Sequence, residues 1–300
     1  KTGRIRRNLM GKRVSYMIRS VITGDSRLKI NEVGIPMIHA RNLEIPEIVS
    51  FRNKERLTMY YLNGSHKYPG CKHIIKKATG PTYRIDYMND NYQLQEGDVV
   101  MRDMITGDVV DFNRQPTLLF SNISCMRVVV METGETLRIN PSICKYFSSD
   151  FDGDQMNAIV AQNIMARNES MKVSRVARWL ISPQTQSPLV GAFQDGLIGL
   201  SEITRDGIEF DKWHAMSLFA DVNSDDIDYK FNKKNYSNRE LVSRLLPKIN
   251  MTGRSPEMYK EQYAKFLKYN PNDIEVNIKL GKLQSGILDK STCGQGKAGS

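Results

Sequence analysis

The chain has 300 residues, is 40% hydrophobic and 25% charged, and carries a net charge of +10. That length suits about two domains with a substantial core. No apolar run approaches the ~20 residues of a membrane span and no signal peptide opens the chain, so no membrane partner is expected. The four cysteines, Cys71, Cys125, Cys144 and Cys293, lie far apart with no CxxC pair. A zinc ribbon is therefore not expected in this stretch, and a reducing, intracellular setting fits best. The chain starts at Lys1 rather than Met and stops in Gly-Gln-Gly-Lys-Ala-Gly-Ser, so it reads as a piece of something longer.

Residues 1 to 24 hold Lys1, Arg4, Arg6, Arg7, Lys12, Arg13 and Arg19 and no acid, a local charge of +7. Such a run is either a solvated basic face or a phosphate-binding segment, because clustered Arg and Lys release counterions from nucleic acid. Ser15 to Ile22 alternates enough for a strand, closed by the turn signal Thr23-Gly24-Asp25. A short apolar piece, Glu32 to Pro36, follows. Residues 43 to 62 have a helical spacing of Ile45, Ile48, Val49, Leu57 and Tyr61, with Pro46 tolerated in a first turn.

From about 83 to 147 the texture is short β-rich runs: Val99-Val100, Val109 to Phe112, Arg127 to Met131 and Thr136 to Ile139. Turns at Gly97-Asp98, Gly107-Asp108 and Thr133-Gly134 separate them, which favours a barrel or compact sheet. Residues 157 to 181 read as helical, and Pro183 to Pro188 break the pattern. A second helix is expected around Phe193 to Thr204, and a loop or linker over Asp221 to Asn235. A helix at about 255 to 269 precedes the turn cluster Tyr269 to Asp273, and strands joined at Gly281-Lys282 fill Ile274 to Leu288. No internal repeat or low-complexity tract is present.

Chemistry concentrates in Asp150-Phe151-Asp152-Gly153-Asp154. Three carboxylates that close repel one another, and a cation relieves the repulsion. Oxygen-only ligands favour a hard ion, Mg²⁺ before a softer metal. A calcium loop of EF-hand type needs Gly at its sixth position and Glu at its twelfth, where this chain has Gln155 and Ala161. A solvated Asp/Gly turn remains the other reading, although the apolar flanks Tyr146-Phe147 and Ala158-Ile159-Val160 suggest a partly buried setting.

With Phe112-Asn113-Arg114-Gln115-Pro116-Thr117-Leu118 and the opening Gly3 to Val14, the motif resembles the largest subunit of multisubunit DNA-dependent RNA polymerases, the eukaryotic-type or archaeal chain. Arg19-Ser20-Val21-Ile22, Val33-Gly34-Ile35-Pro36, Tyr68-Pro69-Gly70, Leu137-Arg138-Ile139-Asn140, Ile181-Ser182-Pro183-Gln184 and Gln194-Asp195-Gly196-Leu197 follow in the family's order. Ser285 to Lys290 resembles its pore and funnel region. Residues 205 to 270 match least.

The resemblance implies a mixed α+β fold with a double-psi β-barrel as active-site domain and flanking helical pore and funnel segments. Residues 1–20 would be a switch segment at the end of the clamp core, 21–165 the barrel domain with inserted helices, and 166–300 the start of the pore and funnel. Asp150, Asp152 and Asp154 would hold a catalytic Mg²⁺. A second Mg²⁺ would arrive with the nucleoside triphosphate and be shared with the second-largest subunit, a two-metal arrangement. Arg114 would reach the ribose or phosphate of that nucleotide, with Gln115 in support. Arg6, Lys12, Arg13 and Arg19 would grip template DNA and the hybrid with nascent RNA through phosphates.

Two positions depart from the family. Its Asn-Ala before the aspartates is Ser148-Ser149 here, so Ser148 would meet the sugar hydroxyls only through a water. Its His after Gln-Pro-(Ser/Thr)-Leu is Leu119. Such drift fits a polymerase of a large cytoplasmic DNA virus, placing the protein in host cytoplasm or virion; a cellular eukaryotic one would be nuclear. The expected activity is nucleotidyl transfer extending RNA on a DNA template, within the complete complex and not in this piece alone. A free-standing Mg²⁺-dependent nuclease or phosphotransferase, and a basic scaffold with a solvated acidic turn, are the competing readings.

Overall fold

The computed structural model describes residues 3–78, 80–88, 92–192, 195–220, 222, 227–254 and 275–293. The chain divides into two compact units, Lys1–Leu180 and Ile181–Ser300. The fold is mixed α+β, and the first unit is built on a closed six-stranded barrel.

Six strands close that barrel: β1 (Met17–Gly24), β2 (Glu32–Pro36), β7 (Val109–Asn113), β8 (Ile123–Met131), β9 (Leu137–Ile139) and β10 (Gln155–Ile159). Their order around the wall is β1-β10-β7-β8-β2-β9. Four of the pairs are antiparallel, while β1 with β9 and β2 with β8 run parallel. Ile22, Val33, Ile35, Val110, Phe112, Met126, Val128, Leu137, Ile139, Met156 and Ala158 are buried. The side chains of Val33 and Ile35, Val110 and Phe112, and Met156 and Ala158 repeat at the two-residue period that brings one face of a strand inward. Closure leaves no free strand edge in the wall.

A four-stranded sheet, in the order β3-β6-β4-β5, is inserted between β2 and β7. It comprises β3 (Glu44–Ile48), β4 (Cys71–Ile75), β5 (Thr82–Arg84) and β6 (Val99–Asp103). The helix α1 (Met37–Ala40) leads into it, and α2 (Lys54–Asn63) buries Leu57, Tyr60 and Tyr61. Residues 44–48 are thus strand and not the expected helix. Pro46 lies on the edge strand, where a missing N–H costs nothing in the ladder, and Ile45 is fully buried opposite Arg102.

The start of the helix expected over 157–181 is likewise corrected. Residues 155–159 form β10, because the barrel closes only when that segment fills the gap between β1 and β7. Helix begins afterwards, as α4 (Ile164–Val173), with Asn163 accepting the Met165 N–H as its cap. The strand expected at 127–131 starts earlier, at Ile123. A short helix, α3 (Cys144–Phe147), precedes β10.

The second unit holds α5 (Asp195–Ile203), close to the expected bounds, then β11 (Glu209–Asp211), α6 (Lys212–Phe219), β12 (Asn235–Ser237) and α7 (Asn238–Leu245). β11 pairs with β12. A three-stranded meander of β13 (Met251–Arg254), β14 (Glu275–Lys279) and β15 (Lys282–Ser285) follows, with the expected turn at Gly281. The short α8 (Lys290–Cys293) ends the described chain. Ala215, Phe219, Phe231, Tyr236 and Leu241 form one core and Val242, Val276, Ile278, Leu283 and Leu288 another. Phe231, inside the segment read as linker, is therefore a core residue. The helix expected at 255–269 and the turn at 269–273 lie outside the described residues. Among the described residues, no helix is long and apolar enough to cross a membrane. Cys71, Cys125 and Cys144 are buried and unpaired, and Cys293 is half-buried and unpaired.

Candidate functional site

The acidic loop, residues 150–154, joins α3 to β10 at one end of the barrel. α3 stops because Ser148 takes left-handed backbone angles, φ 52° and ψ 39°, and its N–H returns to Lys145 O at 3.0 Å. Buried Ser149 seals the same turn, its N–H donating to Cys144 O at 2.9 Å and its Oγ to the same oxygen at 3.3 Å. Gly153 then sits at φ +115°, a region closed to residues with a Cβ. This sharp path carries the three aspartates in a turn that ends where the strand begins at Gln155.

Two contacts fasten the loop to β1. Ile22 donates its N–H to Asp154 O at 3.0 Å. Phe151, the one aromatic residue of the loop, lies against Gly24; a Cβ on Gly24 would come within 3.2 Å of Phe151 Cε2 and of Pro141 Cγ. In the sequence Gly24 belongs to the turn signal Thr23-Gly24-Asp25. It ends β1 instead, and its missing side chain makes the seat for the ring.

Asp150 and Asp152 are exposed and Asp154 is half-buried. The Phe151 N–H donates to Asp150 Oδ1 at 2.8 Å, and the Asp150 N–H donates to Asp154 Oδ2 at 3.1 Å. Asp154 Oδ2 also accepts from Arg114 Nε at 2.9 Å. That guanidinium bond, helped by the Asp150 N–H and opposed by partial burial, holds the Asp154 carboxyl below the usual carboxylate range.

The meeting of Arg114 and Asp154, forty residues apart, follows from register. β7 and β10 are antiparallel with Asn113 opposite Asn157, so the chain leaving β7 runs beside the chain entering β10. The loop after β7 is clamped from within. Asn113 Nδ2 donates to Thr117 Oγ1 at 2.7 Å and Asn122 O at 2.9 Å, Asn122 Nδ2 donates to Pro116 O at 3.0 Å, and the Arg114 N–H reaches Asn122 O at 2.9 Å. Both asparagines are buried. Asn113 stands in the sequence only as part of the Phe112–Leu118 motif, and Asn122 carries no signal there; the clamp they form is visible only in the fold.

The other expected site residues are less closely gathered. Gln115 and Ser148 are exposed. Arg19, on β1, is exposed and donates from Nε to Gln155 Oε1 at 2.9 Å, beside the last aspartate. Arg6 lies in a single π-turn, Ile5–Leu9, and with Lys12 and Arg13 is exposed along the opening segment. Leu119 is exposed beside Phe120, whose ring packs on Trp179 at 5.0 Å.

Among the described residues, no three His, Cys, Asp or Glu side chains are grouped so as to hold a metal ion. The loop brings three carboxylates together in the chain, but their oxygens do not converge, and Asp154 is turned toward Arg114. The donor chemistry nevertheless fits a hard cation: three carboxylates, two of them exposed and able to rotate, on a backbone fixed at both ends. The hydrogen bonds that Asp154 accepts both fall on Oδ2.

Fold and site together define a barrel protein with an acidic loop and an arginine paired to its last aspartate. Residues 11–176 match RNA polymerase Rpb1, domain 2, and residues 179–300 match RNA polymerase Rpb1, domain 3. The chain belongs to the Rpb1 family, the largest subunit of DNA-directed RNA polymerase. It is 38% identical, over its whole length, to the DNA-directed RNA polymerase RPB1 homolog of African swine fever virus (isolate Pig/Kenya/KEN-50/1950), covering 21% of that protein. Over 97% of its length it is 36% identical to DNA-directed RNA polymerase subunit 1 of Acanthamoeba polyphaga mimivirus, covering 19%. Subunit Rpo1N of Thermococcus celer is also 36% identical, over 98% of this chain and 35% of its own. The chain thus spans about a fifth of these viral relatives.

Proposed function

We propose that this chain is the catalytic-core part of a DNA-directed RNA polymerase largest subunit, extending RNA on a DNA template by Mg²⁺-dependent nucleotidyl transfer. The observation that carries this reading is the acidic loop pinned to β1 with Arg114 against Asp154. The two parallel pairs, β1 with β9 and β2 with β8, in an otherwise antiparallel barrel support its reading as a double-psi β-barrel. The viral relatives favour a viral polymerase working in host cytoplasm or carried in the virion.

Asp150, Asp152 and Asp154 would hold the ion. When bound, Mg²⁺ supplies Lewis-acid stabilisation of phosphate charge and lowers the pKa of an attacking hydroxyl. The rest falls to the chain. Arg114, its backbone fixed by Asn113 and Asn122, presents a planar guanidinium to the ribose or phosphate of a nucleoside triphosphate. Gln115 lies next to it, and Ser148 marks the sugar side of the loop. Arg19, tied to Gln155, and the exposed Arg6, Lys12 and Arg13 grip the phosphates of template and nascent RNA without reading sequence. The second-largest subunit shares in holding a second Mg²⁺ that accompanies the nucleotide, and with other subunits completes the centre, so this piece alone is inactive.

The test is the complete polymerase reconstituted with Asp152→Ala. RNA synthesis should fall at least about a hundredfold, as when a group stabilising the transition state is removed, with assembly and DNA binding unchanged. Synthesis at the unsubstituted rate would overturn the assignment.

A further inference from the structure

We infer that Arg114 is the exchangeable counter-ion of Asp154, occupying the carboxylate until a divalent cation takes it and then passing to the nucleotide. The inference rests on the reading of the acidic loop as the cation site. A half-buried carboxylate in a loop of three is stabilised by a positive partner, and its partner here is the arginine proposed to meet the nucleotide.

The geometry suits exchange. Arg114 is joined to Asp154 by one hydrogen bond, Nε to Oδ2 at 2.9 Å, not by the two parallel bonds of a fork-to-fork pair. Both side chains keep part of their surface in water, 21% for Arg114 and 25% for Asp154. Partly exposed pairs of this kind are weak and are replaced readily. The backbones are not loose. Arg114 N–H is bonded to Asn122 O on one side, and Asp154 O accepts from Ile22 N–H on the other. The side chains can therefore change partner while the loops stay in place.

Two consequences follow in opposite directions. The arginine competes with a cation for Asp154, and its charge repels that cation, so its removal tightens cation binding. It also supplies a contact to the nucleotide, so its removal weakens nucleotide binding. Cation and nucleotide are then coupled through one side chain: loading the cation frees Arg114 for the nucleotide, and linkage makes the help mutual. A role confined to aiming Asp154 at the metal predicts the reverse, with removal of Arg114 weakening the cation.

The experiment measures Mn²⁺ binding by electron paramagnetic resonance in the assembled polymerase, without nucleotide. Unsubstituted, Arg114→Gln, Arg114→Lys and Asp152→Ala forms are compared. Arg114→Gln should bind Mn²⁺ about fivefold more tightly, the size expected from removing a partly exposed ion pair, and should bind nucleoside triphosphate more weakly. Arg114→Lys keeps the charge and should stay near the unsubstituted value; equal tightening there would overturn the inference. Unchanged or weaker Mn²⁺ binding in Arg114→Gln, with Mn²⁺ lost in Asp152→Ala, would sink the counter-ion role and leave the cation site standing. Mn²⁺ retained in Asp152→Ala would remove both.

Discussion

Two arginine–carboxylate clusters in the first unit use the same chemistry to different ends. In the four-stranded sheet, Arg102 is nearly enclosed, its side chain 5% exposed. Its Nε donates to Glu47 Oε2 at 2.6 Å, Nη1 and Nη2 grip both oxygens of Asp108 at 2.8 and 2.6 Å, and Nη1 reaches Asp103 O at 3.0 Å. Glu47 also accepts from Asn53 and Arg56, and Asp108 from the Ile105 N–H. Burial works against the Arg102 charge, but the Asp108 and Glu47 carboxylates outweigh it and raise the guanidinium pKa. At the acidic loop, Arg114 makes one bond to one oxygen and both partners face water. A filled, buried network has no capacity left for a ligand; a half-filled, wet one does. The difference teaches that satisfaction and exposure, more than residue type, separate an arginine that holds the fold from one that can change partners.

The largest effect is expected where charge is buried. Arg102→Ala leaves Glu47 and Asp108 without their cation and should cost about 3–5 kcal/mol of stability, read from denaturant unfolding. A cost below that of an exposed pair would erase the contrast between the clusters. Gly24→Ala comes next. Its Cβ would press on Phe151 and Pro141 at 3.2 Å, so about 1–3 kcal/mol of overpacking strain is expected, together with weaker cation binding at the displaced loop. Retained Mn²⁺ affinity would show that the Phe151 seat does not position the aspartates. The smallest is Ser148→Asn, at a left-handed position that asparagine tolerates better than serine. It should raise stability by about 0.5 kcal/mol, seen in thermal melting. A loss would mean that Ser148 is held by more than its backbone.

Much of the barrel is legible in the chain because its strands announce themselves. Val109 to Phe112 and Arg127 to Met131 are β-branched or aromatic runs, closed by Gly107 and Gly134 at positive φ. Glu44–Ile48 was hidden because Ile45, Ile48 and Val49 satisfy a helical spacing as well as a strand's, and an edge position removes the penalty on Pro46. Gln155–Ile159 was hidden because five residues before a real helix carry too little periodicity of their own. At the site, Asp150, Asp152, Asp154 and Arg114 stand out from local composition. Gly24, Asn113 and Asn122 do not, since each acts through a partner that only folding supplies.

By itself the sequence determined the acidic loop, the basic opening segment, most strands and the family, since these rest on neighbours along the chain and on motif order. Only the tertiary structure decided how the strands close, that Asn113 faces Asn157, that Gly24 seats Phe151 and that Arg114 meets Asp154. The reason is physical. Charge density and hydrophobic alternation are local properties, whereas strand register and the choice of an ion's partner are settled by which packing closes the barrel with its buried polar groups satisfied.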